Sequence, residues 1–112
     1  LQLFLPAIWT AARARGQNID TLTQWVSKAP AHLAGLSDSK GSLTAGSDAD
    51  IVVWDPDAEF IVDAQKLQHR HKLTPYDGRR LQGVVDTTYL RGEVAYQNGE
   101  FADPAGEVVL KP

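Results

Sequence analysis

Residues 41–55 read Gly41-Ser42-Leu43-Thr44-Ala45-Gly46-Ser47-Asp48-Ala49-Asp50-Ile51-Val52-Val53-Trp54-Asp55. Gly and Asp favour turns, through backbone freedom and through side chains that bond the nearby backbone. The β-branched and aromatic run Ile51–Trp54 then fits a short strand. Asp48-x-Asp50 also has the look of a calcium-loop opening. Such a loop needs a third oxygen ligand, a central Gly and a terminal Glu at fixed spacing, and these are missing. The expected structure is a turn into a strand, with Asp55-Pro56 as the turn out.

Outward from this stretch the chain has two characters. Towards the C-terminus, glycines punctuate short runs rich in Val, Thr and aromatics: Phe60–Val62, Val84–Leu90 and Glu93–Gln97. Arg91-Gly92 separates the last two by two residues, the spacing of a β-hairpin. Asn98-Gly99 offers another tight turn towards Phe101. Towards the N-terminus the pattern is helical. Leu5, Ile8, Trp9 and Ala12 recur at helical spacing, and Arg13, Arg15 and Gly16 supply a stop. A second helix is expected with Asp20 as N-cap, Leu22, Trp25 and Val26 as its apolar face, and Pro30 as its end. A short turn through Pro30, His32 and Leu33 then closes at Gly35. Helices first and strands afterwards, changing at Ser37, make an α+β arrangement rather than an alternating βαβ one.

The chain has 112 residues, 43% hydrophobic and 22% charged, which is ordinary for one globular core. A net charge of −3 argues against a nucleic-acid or anionic-membrane surface, because both need clustered Lys and Arg. With no cysteine, a disulfide framework, a thiolate metal site and a cysteine nucleophile are all excluded. No apolar run approaches the roughly 18 residues of a membrane span. No secretion signal is visible, so a cytoplasmic setting is expected. The sequence contains no methionine, so it is expected to be a piece of a longer protein.

Three histidines are present, His32, His69 and His71. His69-Arg70-His71 has the H-x-H spacing that places two imidazoles on one side of a strand, as zinc sites do. Its flanks, Gln65 to Gln68 and Lys72, make a solvated and basic neighbourhood hostile to a divalent cation. A structural or surface role is expected for the pair, and a packing or capping role for His32. No serine lies in a G-x-S-x-G setting and no Gly-rich phosphate loop occurs.

Two segments carry a family resemblance. Gly41–Asp55 resembles the G-x-[IL]-x-x-G-x-x-A-D-[IL]-V-[VIL]-[WFL]-[DN] stretch of the amidohydrolase superfamily, which lies in a small β-sandwich beside a TIM-like barrel. His69-Arg70-His71-Lys72-Leu73-Thr74-Pro75-Tyr76, then Gly78-Arg79, Leu81, Gly83-Val84-Val85 and the hairpin Thr88–Gly92, resembles the C-terminal region of allantoinases. Leu1–Thr10 is similar to the part of those enzymes just after the last catalytic strand. The resemblance implies an α+β fragment. Residues 1–36 are the last helices of the barrel, residues 37–112 the C-terminal strands of a composite β-sandwich, and a linking segment lies near 63–80.

The same resemblance implies a parent enzyme that opens the hydantoin ring of allantoin to allantoate. Two divalent metals, zinc or similar, held by four His, one Asp and a bridging carboxylated Lys, generate its hydroxide. Those ligands fall upstream of Leu1, and His69-x-His71 is not the family's H-x-H. No catalytic or metal-ligating residue, and so no cofactor, is expected in residues 1–112. Gln2 is the one substrate-contact candidate, and Lys72, Thr74 and Tyr76 are expected to pack a connection between barrel and sandwich. The neighbouring readings are dihydropyrimidinase, hydantoinase or dihydroorotase; a reading of another class is a non-catalytic β-rich assembly module. The expected partners are a cyclic ureide for the parent, and either another copy of this chain or the missing N-terminal part.

Overall fold

The computed structural model describes residues 1–109. Helix α1, Phe4–Arg13, forms where the apolar spacing predicts it. Pro6 sits in its first turn, where a missing N–H leaves no bond unmade. Trp9 and Ala12 are buried, and Gly16 ends the segment at φ +72°.

Helix α2, Ile19–Thr23, departs from expectation at its start. Asn18, not Asp20, is the N-cap: its Oδ1 accepts the Thr21 N–H at 2.9 Å, and Asp20 lies inside the first turn. Both side chains are able to cap; Asn18 has the extended backbone the position demands. A π-helical turn, Gln24–Lys28, follows, and helix α3, Ala29–Ala34, continues directly from it. Pro30 therefore does not end the second helix; it follows directly on the π-helical turn, the local irregularity that accommodates a proline inside a helical run. The wider turn also shifts the buried stripe. Leu22 is buried and Val26 half-buried, but Trp25 is 51% exposed. Gly35 closes α3 at φ +71°, with the Leu36 N–H returning to the Ala31 carbonyl.

Strand β1 spans Ile51–Ile61, so Asp55-Pro56 is not a turn out of the strand. The Asp55 carboxylate takes the N–H groups of Asp57 and Ala58, and the Pro56 carbonyl takes Trp9 Nε1–H at 2.8 Å. With its neighbours' donors and acceptors satisfied in this way, the proline is carried within the strand. A short 3₁₀ turn, Ala64–Lys66, leads on to β2, Arg80–Leu90, which begins four residues before the expected Val84. Strands β3, Glu93–Gln97, and β4, Glu100–Phe101, follow, and the sheet order is β1-β2-β3-β4.

Both predicted tight turns are present. Leu90 pairs with Glu93 across Arg91 (φ +50°) and Gly92 (φ +85°), and Gln97 pairs with Glu100 across Asn98 (φ +48°) and Gly99 (φ +95°). Two consecutive positive φ angles match the right-handed twist of the flanking strands. Between Thr88 and Tyr89 the register shifts by a bulge.

The residues fall into two compact units. One joins residues 1–17 to 55–84. Its core is Val62, Leu67 and Leu81, with Leu3, Ala7, Phe60 and Tyr76 packed against it. Thr10 ties α1 to β2 there, its hydroxyl accepting the Gln82 N–H at 2.8 Å. The other unit joins residues 18–54 to residues 85–109, and buries Leu22, Ala31 and Thr87.

Candidate functional site

In the first unit the start of α1 and the loop after the 3₁₀ turn border an open cleft of about 470 Å³. Leu1, Phe4 and Ile8 line one side; Leu67, His69, Leu73, Thr74 and Tyr76 line the other, and Gln2 stands among them. A volume of this order suits a ligand or an inserted segment. The Gln2 side-chain oxygen accepts the Gln68 backbone N–H at 3.0 Å and so fixes the loop next to His69. With its oxygen engaged, Gln2 has its NH₂ donors left to offer.

The two members of H-x-H are separated by environment. His71 is exposed, as expected. His69 is half-buried, and its Nδ1 and Nε2 are both closed off from solvent with no hydrogen-bond partner among the described residues. The solvated neighbourhood expected for the pair therefore holds for one ring and fails for the other. The flanking residues are polar, but the cleft that His69 lines also includes the apolar Leu1, Phe4 and Leu73.

Lys72, although exposed, donates its ammonium to the Leu67 carbonyl. The Thr74 hydroxyl accepts the Tyr76 N–H at 3.3 Å, and the Arg79 guanidinium lies 5.8 Å from the Tyr76 ring centre. These contacts fold the 67–79 loop on itself and press Tyr76 onto the Val62 cluster.

In the second unit, Asp48 and Asp50 converge on Lys40. Lys40 Nζ lies 2.8 Å from Asp48 and also bonds Asp50, whose other oxygen takes the Arg91 N–H at 2.9 Å. The carboxylates thus staple the loop to the β2–β3 turn instead of opening a calcium loop. Hydrogen bonds to Asp48 and then Asp50 hold the Lys40 ammonium above its ordinary value. The Lys40 ammonium, helped by the Arg91 N–H, holds the Asp50 carboxyl below its own. Asp48-x-Asp50 facing a nearby Lys40 was a legible charge match. His32, exposed in the last turn of α3, borders a smaller groove of about 360 Å³ with Lys28 and Lys40.

Among the described residues, no three His, Cys, Asp or Glu side chains converge as metal ligands. No helix there is long and apolar enough to cross a membrane.

The family model described as "Amidohydrolase family" matches residues 7–95. An allantoinase of Streptomyces avermitilis is 49% identical over 111 residues, covering 99% of this chain and 25% of the relative. An allantoinase of Arabidopsis thaliana is 42% identical over 107 residues, covering 94% and 21%. The solved L-hydantoinase (dihydropyrimidinase) of Arthrobacter aurescens superposes with a TM-score of 0.82 at 34% identity, covering 88% of this chain and 22% of that one. The chain thus spans between a fifth and a quarter of the length of these three proteins.

Proposed function

The chain belongs to the amidohydrolase family, and on that premise we propose that it is the C-terminal piece of a cyclic-amide hydrolase acting on allantoin. The observation that carries this reading is the 49% identity to the Streptomyces allantoinase, sustained over 99% of the chain. The reaction opens the hydantoin ring: a hydroxide adds to a ring carbonyl and the ring C–N bond breaks, leaving allantoate. In the family two divalent metals supply that hydroxide. Among the described residues no three possible ligands converge, and in this reading the ligands for such a pair come from the upstream part of the parent. The present residues complete the fold around it, and Gln2 donates its NH₂ to the substrate ring. The setting is cytoplasmic.

A hydantoinase parent is the second reading, favoured by the Arthrobacter structure. Joining this chain to the upstream part of the Streptomyces allantoinase, and separately to that of the Arthrobacter hydantoinase, distinguishes the two. Allantoin turnover within about tenfold of the intact relative in the first, with loss of hydantoin turnover in the second, is the expected result. The reverse pattern assigns the chain to a hydantoinase. Inactivity of both joined proteins, each well folded, favours the assembly module.

A further inference from the structure

Asparagine occurs at positions 18 and 98, and the fold treats the two side chains oppositely. The Asn18 Oδ1 accepts the Thr21 N–H at 2.9 Å, and the β-branched Ile19 follows it. Asn98 is exposed at the tip of the β3–β4 turn, and its carboxamide has no hydrogen bond among the described residues. Gly99 follows it, also exposed, with nothing within 4 Å of the place a Cβ would occupy. The Gly99 N–H, a central donor of the turn, has no acceptor among the described residues. A side-chain amide carbon and an unhindered main-chain nitrogen are thus neighbours in water.

We propose that Asn98-Gly99 is a site of self-modification, and that the β3–β4 hairpin sets its rate. The Gly99 main-chain nitrogen attacks the Asn98 Cγ. The N–Cγ bond forms, the Cγ–Nδ2 bond breaks, and the Gly99 amide proton leaves with the side-chain nitrogen as ammonia. One water then opens the five-membered imide at either carbonyl, giving aspartate or its isoaspartyl isomer. Water is the only co-reactant. The closed turn withholds the attack: Asn98 at φ +48° and Gly99 at φ +95° fix the peptide between them, and the Asn98 N–H is tied to the Asp86 carbonyl at 2.9 Å. That lock is light. Strand β4 has two residues, paired with Gln97 and Tyr96, and residues 102–109 carry no regular secondary structure. Strand ends of this kind open at little cost in free energy. The Tyr96 and Phe101 rings, with centres 4.9 Å apart, hold the pair closed. The two products leave different structures. Aspartate suits the two-residue turn as asparagine does. The isoaspartyl link adds one carbon to the main chain, so the turn no longer closes in register and β4 is released.

The test ages the 112-residue chain at neutral pH, in buffer and in urea, and reads Asn18 and Asn98 by peptide mapping. Amide exchange at Ala102, whose N–H donates to the Ala95 carbonyl at 3.0 Å, reports whether the hairpin is formed. In buffer, Asn98 is expected to convert at least about tenfold faster than the capped Asn18. Urea is expected to speed Asn98 further. Phe101→Ala, which loses the ring contact, is expected to raise the buffer rate about threefold and leave the urea rate unchanged. Ala102 protection is expected to persist in Asn98→Asp and to be lost in the isoaspartyl form isolated from the aged sample. Asn98 intact in buffer after the urea sample has fully converted overturns the proposal, as does conversion of Asn18 at the same rate. Equal rates in buffer and urea, unmoved by Phe101→Ala, remove the hairpin's control and overturn it too. So does an Ala102 amide that is unprotected at the outset, or one still protected in the isoaspartyl form.

Discussion

The side-chain oxygen of Gln2 accepts the backbone N–H of Gln68 at 3.0 Å, joining residues 66 positions apart. The bond holds the His69 loop against the start of α1, where Gln2 lines the cleft with its NH₂ donors not used by that bond. Two substitutions separate these roles. Gln2→Glu keeps an acceptor for Gln68 but loses the donor; Gln2→Ala loses both. An intramolecular hydrogen bond contributes about 0.5–1.5 kcal/mol. Gln2→Ala is therefore expected to speed amide exchange at Gln68 up to about tenfold, with Gln2→Glu close to wild type. In the joined enzyme both variants should raise KM for allantoin with kcat little changed. Unchanged KM in both removes Gln2 from the substrate site.

The Lys40–Asp50 staple sets a pH window for the second unit. Asp50 is depressed from its ordinary 3.8, so its contribution is present above that value and is lost as pH falls through the lower folded value. Lys40 is raised from 10.5, so its contribution is complete below that value and is lost as pH rises through the higher folded value. A stability plateau between about pH 4 and 10 is expected from this pair. Asp50→Asn should lower the plateau by about 0.5–1 kcal/mol, the scale of a part-exposed ion pair. Urea midpoints across pH check it. An Asn variant with the wild-type acid limb would show that Asp50 does not set that limb.

Gly41 is required by space and by conformation. Its φ is +83°, and a Cβ there meets the Ala31 Cβ at 2.6 Å and the Ser27 carbonyl oxygen at 2.9 Å. Gly16 has a similar φ, +72°, with nothing within 4 Å. Gly41→Ala is expected to destabilise by about 2–4 kcal/mol, strain and overpacking together, and Gly16→Ala by about 1 kcal/mol. Denaturant melts of the two variants side by side check the difference.

Elements whose signal is local were legible in the sequence. The hairpins at Arg91-Gly92 and Asn98-Gly99 were, because two-residue turns with glycine leave few alternatives, and α1 was, because its apolar spacing runs unbroken from Leu5 to Ala12. The cap of α2 was ambiguous because Asn18 and Asp20 both suit the position. Pro30 and Pro56 misled because a proline need not end an element: Pro30 follows directly on a π-helical turn that accommodates it within the helical run, and Pro56 lies in a strand at the edge of the sheet, where a missing donor is tolerated. The expectation for His69 rested on its sequence neighbours, whereas its surroundings come from Leu1, Phe4 and Leu73; the turn expected at Asp48-x-Asp50 does lead into β1, and its tie to the Arg91 turn is the part that no local pattern announces. Gln2 was picked out by resemblance alone; nothing local to it announces Gln68.

The chain alone is expected to bind no stoichiometric zinc, manganese or cobalt. His69 and His71 do not share an environment, and no third ligand joins either among the described residues. Elemental analysis after dialysis against each metal checks it. About one equivalent per chain, lost in His69→Ala, would show that the loop rearranges to make a site.

Self-association of the chain alone follows from what its surface leaves uncovered. Leu1, Phe4 and Leu73 stand exposed together in the first unit, and burying each fully is worth about 1.5–3 kcal/mol. That is comparable with the roughly 5–15 kcal/mol that holds a whole domain together. Strand β1, 11 residues long, ends the sheet order, and Val52 and Val53 on it are exposed. A long strand at a sheet edge, carrying exposed valines, pairs readily with another chain. Strand pairing requires no partner for His69, so the two surfaces are distinguishable. Sedimentation at micromolar concentration is expected to give dimers or larger species, dispersed by Val53→Lys and indifferent to His69→Leu. A charge at a strand edge opposes pairing without touching the Val62 cluster. A stable, cooperatively melting monomer of 12.2 kDa would mean that β1 and the apolar rim are tolerated in water, and that the chain stands as a domain by itself.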